Sequence, residues 1–175
     1  MVPAGMTRTP QDLFAYLAGL GIKTTTVEHE PVFTVGESQD LRGRLDLSGE
    51  LGAHTKNLFL WDRKSSYFLV TALESATVSL KGLHRKIGAA GRLSFGSAEA
   101  MLDLLGVTPG AVTPFGLLND SERRVTFILD PNLARADLIN CHPLVNTMTT
   151  GIRTPDLLRF LEATGHPPRI IDLSE

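Results

Sequence analysis

A single cysteine, Cys141, in a chain of 175 residues excludes an intramolecular disulfide and fits a reducing compartment. It also excludes a multi-cysteine zinc site. His142 follows it directly, nothing else stands at metal-ligand spacing, and His29, His54 and His142 could converge only through folding. No metal is therefore expected. No apolar run is long enough to span a bilayer, and the N-terminus lacks a basic segment followed by an apolar core, so the expectation is a cytoplasmic protein with no membrane partner. An excess of one charge is missing too: 17 basic and 19 acidic residues are intermixed, for a formal net charge of -2. That argues against wholesale nonspecific DNA binding but leaves room for RNA docking through one local basic face. There is no GxxxxGK[ST] loop for nucleotide phosphates, no GxGxxG and no GxSxG elbow, and no cofactor is expected.

What is present suffices for one domain with a substantial core, since 42% of the residues are apolar. Thr9-Pro10-Gln11-Asp12 is a helix start, with Thr9 as cap and Pro10 where a missing N–H costs nothing. Leu13, Phe14, Leu17 and Leu20 form its stripe, and Gly21 ends it. Ile22 to Val27 reads as a strand, and Val32 to Val35 follows a turn at His29-Glu30-Pro31. From Gly36 to Gly52 the pattern is that of a long loop, a functional lid or rim, in which Arg42 and Arg44 are either solvated or touch a phosphate-bearing ligand. Asn57 to Trp61 and Tyr67 to Ala72 form a hairpin around the polar turn 62–66. A basic helix is expected over Leu80 to Ile87, a small strand over Arg92 to Phe95, and a helix capped by Ser97 with Ala98, Met101, Leu102 and Leu105 on its stripe. Val125 to Leu129 is a strand and Asp130-Pro131-Asn132 a turn. Leu133 to Ile139 fits helix or strand, Leu144 to Thr149 is extended, Thr154-Pro155 opens the last helix, and Ile170-Ile171 closes the chain as a strand.

Three places hold residues suited to chemistry, each with two readings. The loop GVTPGAVTPFGLLND (106–120) is stiffened by Pro109 and Pro114 and given freedom by Gly110 and Gly116. It is either a buried crossover or a turn whose N–H groups bind an anion or a carbonyl oxygen. Lys56 and Asn57 stand at the mouth of an apolar strand. They bind a phosphate or a developing negative charge, or they are a solvated lysine beside a turn-capping asparagine. His142, before Pro143, orients water or a substrate group or is a satisfied core histidine. Cys141 and His142 as nucleophile and base are disfavoured, because neighbours on an extended chain point to opposite faces. Phe33 and Phe115 are core residues or the wall of a small apolar pocket.

Four stretches in order, HTKNLFL (54–60), TALESATVSLKGL (71–83), PGAVTPFGLLND (109–120) and CHPLVNTMTT (141–150), resemble the YbaK/ProX family of aminoacyl-tRNA deacylases. The likeness runs from about Thr9 to Leu173 and is nearest to free-standing editing proteins that act on alanine mischarged onto proline tRNA. It implies a single α/β domain over 8–173, with a mixed, largely antiparallel curved sheet covered by helices. It also implies trans-editing hydrolysis of Ala-tRNA(Pro), with deacylation of another mischarged tRNA such as Cys-tRNA(Pro), or noncatalytic tRNA binding, as alternatives. By the resemblance Lys56 is the essential lysine that engages the tRNA end near the terminal adenosine. Gly110 and Pro114 belong to a glycine-x-x-x-proline loop around the aminoacyl ester, His142 is the pocket histidine, and Asn57 lies beside the lysine. Asn146 and Phe33 belong to the pocket surroundings. The chain departs from relatives at Cys141, where phenylalanine is frequent. Lys81, Arg85 and Lys86 are expected on the tRNA backbone, or are an ordinary charged helix face. The implied partners are the 3′ end and acceptor stem of aminoacylated tRNA(Pro), with transient association with prolyl-tRNA synthetase.

Overall fold

The computed structural model describes residues 7–31 and 52–174. The expected strand 32–35, the loop 36–52 apart from Gly52, and with them Phe33, Arg42 and Arg44, lie outside the described residues. Helix α1 (Pro10–Gly19) begins with a reciprocal cap in which Asp12 N donates to Thr9 Oγ1 at 3.1 Å and Thr9 N donates to Asp12 Oδ2 at 2.8 Å. It leads into β1 (Thr24–Glu28), then β2 (Ala53–Trp61) and β3 (Tyr67–Leu73). Helix α2 (Leu83–Ile87), β4 (Ser94–Phe95), α3 (Ala98–Leu105), a 3-10 helix (Pro114–Asn119) and β5 (Val125–Leu129) follow. The chain closes with α4 (Pro131–Ala134), β6 (Leu138–Cys141), β7 (Met148–Arg153), α5 (Thr154–Thr164) and β8 (Arg169–Ile170).

Among the described residues, eight strands join one sheet in the order β1-β7-β6-β2-β3-β5-β8, with β4 paired to β2. The mixed sheet expected from the sequence is observed. The pairings β1–β7, β6–β7, β2–β3 and β2–β4 are antiparallel, and β2–β6, β3–β5 and β5–β8 are parallel. Strand alternation divides the apolar side chains between two layers. Phe59, Leu69, Phe127 and Leu129 face the larger core with Leu13 and Leu17 of α1, Leu104 and Leu105 of α3, and Leu157, Phe160 and Leu161 of α5. Leu60, Phe68, Val70 and Ile128 face the smaller one, closed by Leu83 and Ile87 of α2 and by Leu173. No helix among the described residues is long and apolar enough to cross a membrane.

Several local readings shift. On α3 the buried face is Met101, Leu104 and Leu105, whereas Leu102 is 51% exposed, so the stripe is rotated toward Leu104. The basic helix starts only at Leu83, after Gly82 in the left-handed region at φ 78°. Asp130-Pro131-Asn132 is the capped start of α4, Asp130 Oδ1 accepting from Asn132 N at 2.9 Å. The ambiguous 133–139 stretch is both things, the end of that helix and the start of β6. Strand β7 begins only at Met148, because Leu144 adopts φ 72° and turns the chain.

Buried carboxylates fasten the turns. Asp62 accepts from the N–H groups of Lys64 and Ser66 at 2.9 Å and of Ala90 at 2.8 Å. Asp120 accepts from Arg124 N at 3.0 Å, Val125 N at 2.8 Å and His166 Nε2 at 2.8 Å, with both side chains almost fully enclosed. The Ala90 N–H bond holds Asp62 below the ordinary carboxylate range against the opposing effect of burial. Burial raises Asp120, but His166 and the two backbone N–H groups outweigh it, so its pKa is also lowered. Groups so depressed contribute stability that is complete above the unfolded carboxylate value of about 4 and is lost as pH falls through the lower folded values. Urea denaturation at neutral pH is expected to show Asp120→Ala destabilised by about 3 kcal/mol, since it strands His166 and two N–H donors.

Candidate active site

Strand β2 carries Lys56 and Asn57 on opposite faces of the sheet. Asn57 shares the larger-core face, where Thr71 Oγ1, directly across the ladder, donates to Asn57 Oδ1 at 2.5 Å. That bond fixes the carboxamide and leaves its NH2 group as a donor. Lys56 falls on the side of Leu58 and Leu60 and is half-buried; its Nζ donates to the Ala76 carbonyl, in the segment that leads to α2. A lysine tethered to one carbonyl keeps two ammonium protons for another acceptor.

The neighbour of β2 on this end is β6, paired in parallel at Ala53↔Ile139 and His54↔Asn140. Thr55 Oγ1 continues the contact by donating to Asn140 O at 2.9 Å and lying 4.0 Å from Cys141 Sγ. Lys56 and His142 each lie two residues beyond the last pair in the same direction, His142 just past the end of β6. Cys141 faces the larger core, 2% exposed, and burial pushes its thiol up to about 12. It holds no thiolate near neutral pH, which agrees with the sequence argument against a nucleophilic role.

His142 is wired for a single tautomer. Its Nδ1 lies 2.9 Å from the Met148 carbonyl, which can only accept, so Nδ1 carries the proton and Nε2 keeps its lone pair. Burial holds its pKa below the ordinary histidine value; His29 adds to this and the Met148 bond opposes it. The two rings have centroids 6.2 Å apart. His29 itself is engaged on both sides, Nδ1 with Glu30 O at 2.8 Å and Nε2 with Thr149 Oγ1 at 2.7 Å. Two of the three histidines that sequence left open as a metal set thus do converge. No group of three or more metal-binding side chains occurs among the described residues.

The loop between α3 and β5 is a crossover buried over Thr113 to Leu118, whereas Thr108 and Pro109 are exposed and Gly110 is half-buried. Thr108-Pro109-Gly110-Ala111 is a turn closed by Ala111 N donating to Thr108 O at 3.0 Å, with Gly110 at φ 92°. Proline followed by a positive-φ glycine is the signature of a type II turn, and it explains why glycine stands at 110. Thr113 then caps the 3-10 helix by accepting from Phe115 N at 3.2 Å, and Pro114 is its buried first residue. Phe115 is fully enclosed, edge-on to Phe160 at 5.4 Å between centroids. It has no exposed surface to give a substrate, so the pocket wall expected of Phe115 is replaced by an anchoring role. Ala111 and Phe115 belong to the larger core, as do Cys141 and Leu144.

Lys81, Arg85 and Lys86 are exposed on and beside α2, whose Leu83 and Ile87 close the smaller core. They therefore lie on the Lys56 side of the sheet. Lys86 Nζ donates to the Ser174 carbonyl. Asn146 sits in the turn before β7, half-buried and already engaged. Sequence reasoning gave no role to Thr71, Thr149 or Leu144. Only the ladder partners reveal the first two, and the third is marked by its left-handed backbone.

Two measurements check this geometry. Gly110→Ala, which forces a Cβ into a positive-φ turn position, is expected to lower stability by about 1 kcal/mol in thermal unfolding. In an NMR titration His142 is expected to remain the Nδ1–H tautomer at pH 7 and to take up its second proton below pH 6.5. Because the unfolded chain binds that proton more readily, His142 contributes stability that is lost as pH falls below about 6.5.

The aminoacyl-tRNA editing domain matches residues 29–160 of this chain. A prolyl-tRNA synthetase associated domain-containing protein 1 from Danio rerio is 41% identical over 163 residues, covering 92% of this chain and 85% of that protein. The prolyl-tRNA editing protein ProX of Acetoanaerobium sticklandii is 35% identical over 164 residues, covering 93% and 96%. Among solved structures, one described as a candidate trans-editing enzyme for prolyl-tRNA synthetase superposes with a TM-score of 0.68 at 20% identity, covering 94% of each chain. That last likeness shows the fold alone. The matched domain contains Lys56, Asn57, Gly110, Pro114 and His142, and the chain belongs to the YbaK/ProX family of aminoacyl-tRNA editing proteins.

Proposed function

We propose that the protein hydrolyses the ester of alanine mischarged onto proline tRNA, acting in trans. The observation that carries this reading is the β2–β6 pairing, beyond which a half-buried lysine and a tautomer-fixed histidine each stand two residues on, within an aminoacyl-tRNA editing domain. Water adds to the acyl carbon, the bond from that carbon to the ribose 3′ oxygen breaks, and the products are free alanine and tRNA with its 3′-hydroxyl restored. Lys56 holds the phosphate or ribose of the terminal adenosine through a charge-assisted contact. His142 Nε2 accepts a proton-bearing group of the substrate or the attacking water, since its lone pair is unused. The N–H groups of Gly110 and Val112, which have no acceptor among the described residues, are suited to receive the ester carbonyl and offset the charge that develops on its oxygen.

Alanine is favoured over proline by exclusion: a rigid wall rejects a larger side chain strongly, whereas a smaller one is hard to turn away. The fully packed 3-10 helix behind the loop supports such rigidity. The synthetase-associated names of the relatives accord with an encounter near prolyl-tRNA synthetase.

A deacylation panel of alanyl-, cysteinyl-, seryl- and prolyl-tRNA(Pro) tests the reading. Alanine is expected to be released fastest and proline retained. Lys56→Ala is expected to lose about 100-fold in rate while the folded structure persists. Release of cysteine ahead of alanine would reassign the substrate. Binding of charged tRNA with no hydrolysis above the spontaneous rate would make the protein a tRNA-binding module.

A further inference from the structure

Lys56 lies in the middle of β2 and Trp61 at its C-terminal end, about 17 Å away at ~3.4 Å per residue and, by strand alternation, on the other face of the sheet. There a cleft of about 450 Å³ opens between Trp61, Asp62, Arg63, Arg92 and Ser94. Its frame is built rather than loose. Asp62, 3% exposed, ties the β2–β3 turn to the 90–94 segment through its bond from Ala90 N, and Arg63 N donates to Ala90 O at 3.1 Å. The Asp62 carboxylate, which also lines the cleft, is held by three backbone N–H groups.

The arginines themselves are uncommitted. Both are exposed, and neither makes an ion pair or a side-chain hydrogen bond among the described residues. Arg63 is nevertheless placed: a Cβ at Gly91 would lie 2.7 Å from its Nη2, so the guanidinium rests on bare glycine backbone beside Arg92. The third wall is an aromatic plane. Trp61 is half-buried, and its Nε1 donates to Phe95 O at 3.2 Å, which fixes the indole by its edge. Two free guanidiniums with an edge-pinned indole match a nucleotide, with the phosphate taken by the forks and the base by the ring face.

We propose that this cleft is a second RNA contact, which binds a phosphate and its base in the same tRNA a few nucleotides inward from the 3′ end. The proposal deepens the deacylase reading and rests on it for the identity of the RNA. It gives the enzyme a second grip on the tRNA at a distance from the ester, across the sheet from Lys56. Trp61 is the chain's one tryptophan, so occupancy reports itself in the intrinsic fluorescence.

The test titrates the full-length protein with uncharged tRNA(Pro), following Trp61 fluorescence and the salt dependence of the dissociation constant. The same proteins are assayed for hydrolysis of full-length Ala-tRNA(Pro) and of a 3′-alanylated trinucleotide too short to reach the cleft. Wild-type fluorescence is expected to change on binding. Arg63→Gln with Arg92→Gln is expected to weaken tRNA binding roughly tenfold and to lower the salt slope by about two. Hydrolysis of the trinucleotide is expected to stay unchanged. Arg63→Lys with Arg92→Lys, which keeps the charge, is expected to recover most of the salt slope and guards against a folding defect. Unchanged tRNA affinity and slope in the glutamine variant, or no fluorescence response at saturating tRNA, would overturn the proposal. Intact tRNA binding and quenching without hydrolysis of either substrate would instead overturn the deacylase reading and leave the cleft standing.

Discussion

The site depends on a short parallel pairing, two residues of β2 against two of β6. Without it Lys56 would be an isolated lysine on a hairpin strand and His142 an isolated histidine after another strand. With it, the two segments that carry these residues, far apart in the chain, are joined, and the antiparallel β2–β3 ladder presents Asn57 to Thr71 on the opposite face from Lys56. Parallel pairing cannot be made by a tight turn. The long excursion through α2, α3 and the 106–120 loop is what returns the chain to β6 in that direction, and the same excursion supplies the loop that carries Gly110.

Rigidity around the site comes from packing more than from ion pairs. Among the described residues, an exposed surface pair such as Arg124–Asp103 at 3.7 Å contributes little. The turns are instead held by buried carboxylates, each spent on backbone N–H groups. Asp130 shows this beside the site: its Oδ2 accepts from Leu73 N at 3.0 Å and its own N–H donates to Thr71 O at 3.0 Å. It therefore supports the strand end on which Thr71 orients Asn57. Leu144 is the strained counterpart. Its left-handed backbone is disfavoured for a bulky residue, and its 6% exposure shows that core burial holds it there.

Much of this was legible in the sequence because it is local. The Thr9 and Ser97 caps, the Gly106 and Gly165 stops and strand β5 follow from residues a few positions apart. The loop at 106–120 was open between a crossover and a binding turn. Its second part, Thr113 to Leu118, is buried as the first reading requires, and the type II turn at 108–111, exposed at Thr108 and Pro109, is compatible with the second. What was not legible is long-range. Nothing near His142 in the chain announces His29, more than a hundred residues earlier, and nothing near Asn57 announces Thr71 as its partner. The rotation of α3 toward Leu104 escaped notice because Leu102 and Leu104 are equally apolar, and only the packing partners choose between them. Phe115 was assigned by its chemistry, whereas its neighbour Phe160 decides its role.

The most direct measurement of the central claim is an NMR map of a non-hydrolysable 3′-alanylamido-adenosine bound to the protein. The largest shifts are expected at Lys56, Asn57, Gly110 and His142, with His142 Nε2 changing as its lone pair is engaged. Saturable binding that leaves these four unperturbed and moves residues elsewhere would contradict the placement of the ester site at the β2–β6 junction.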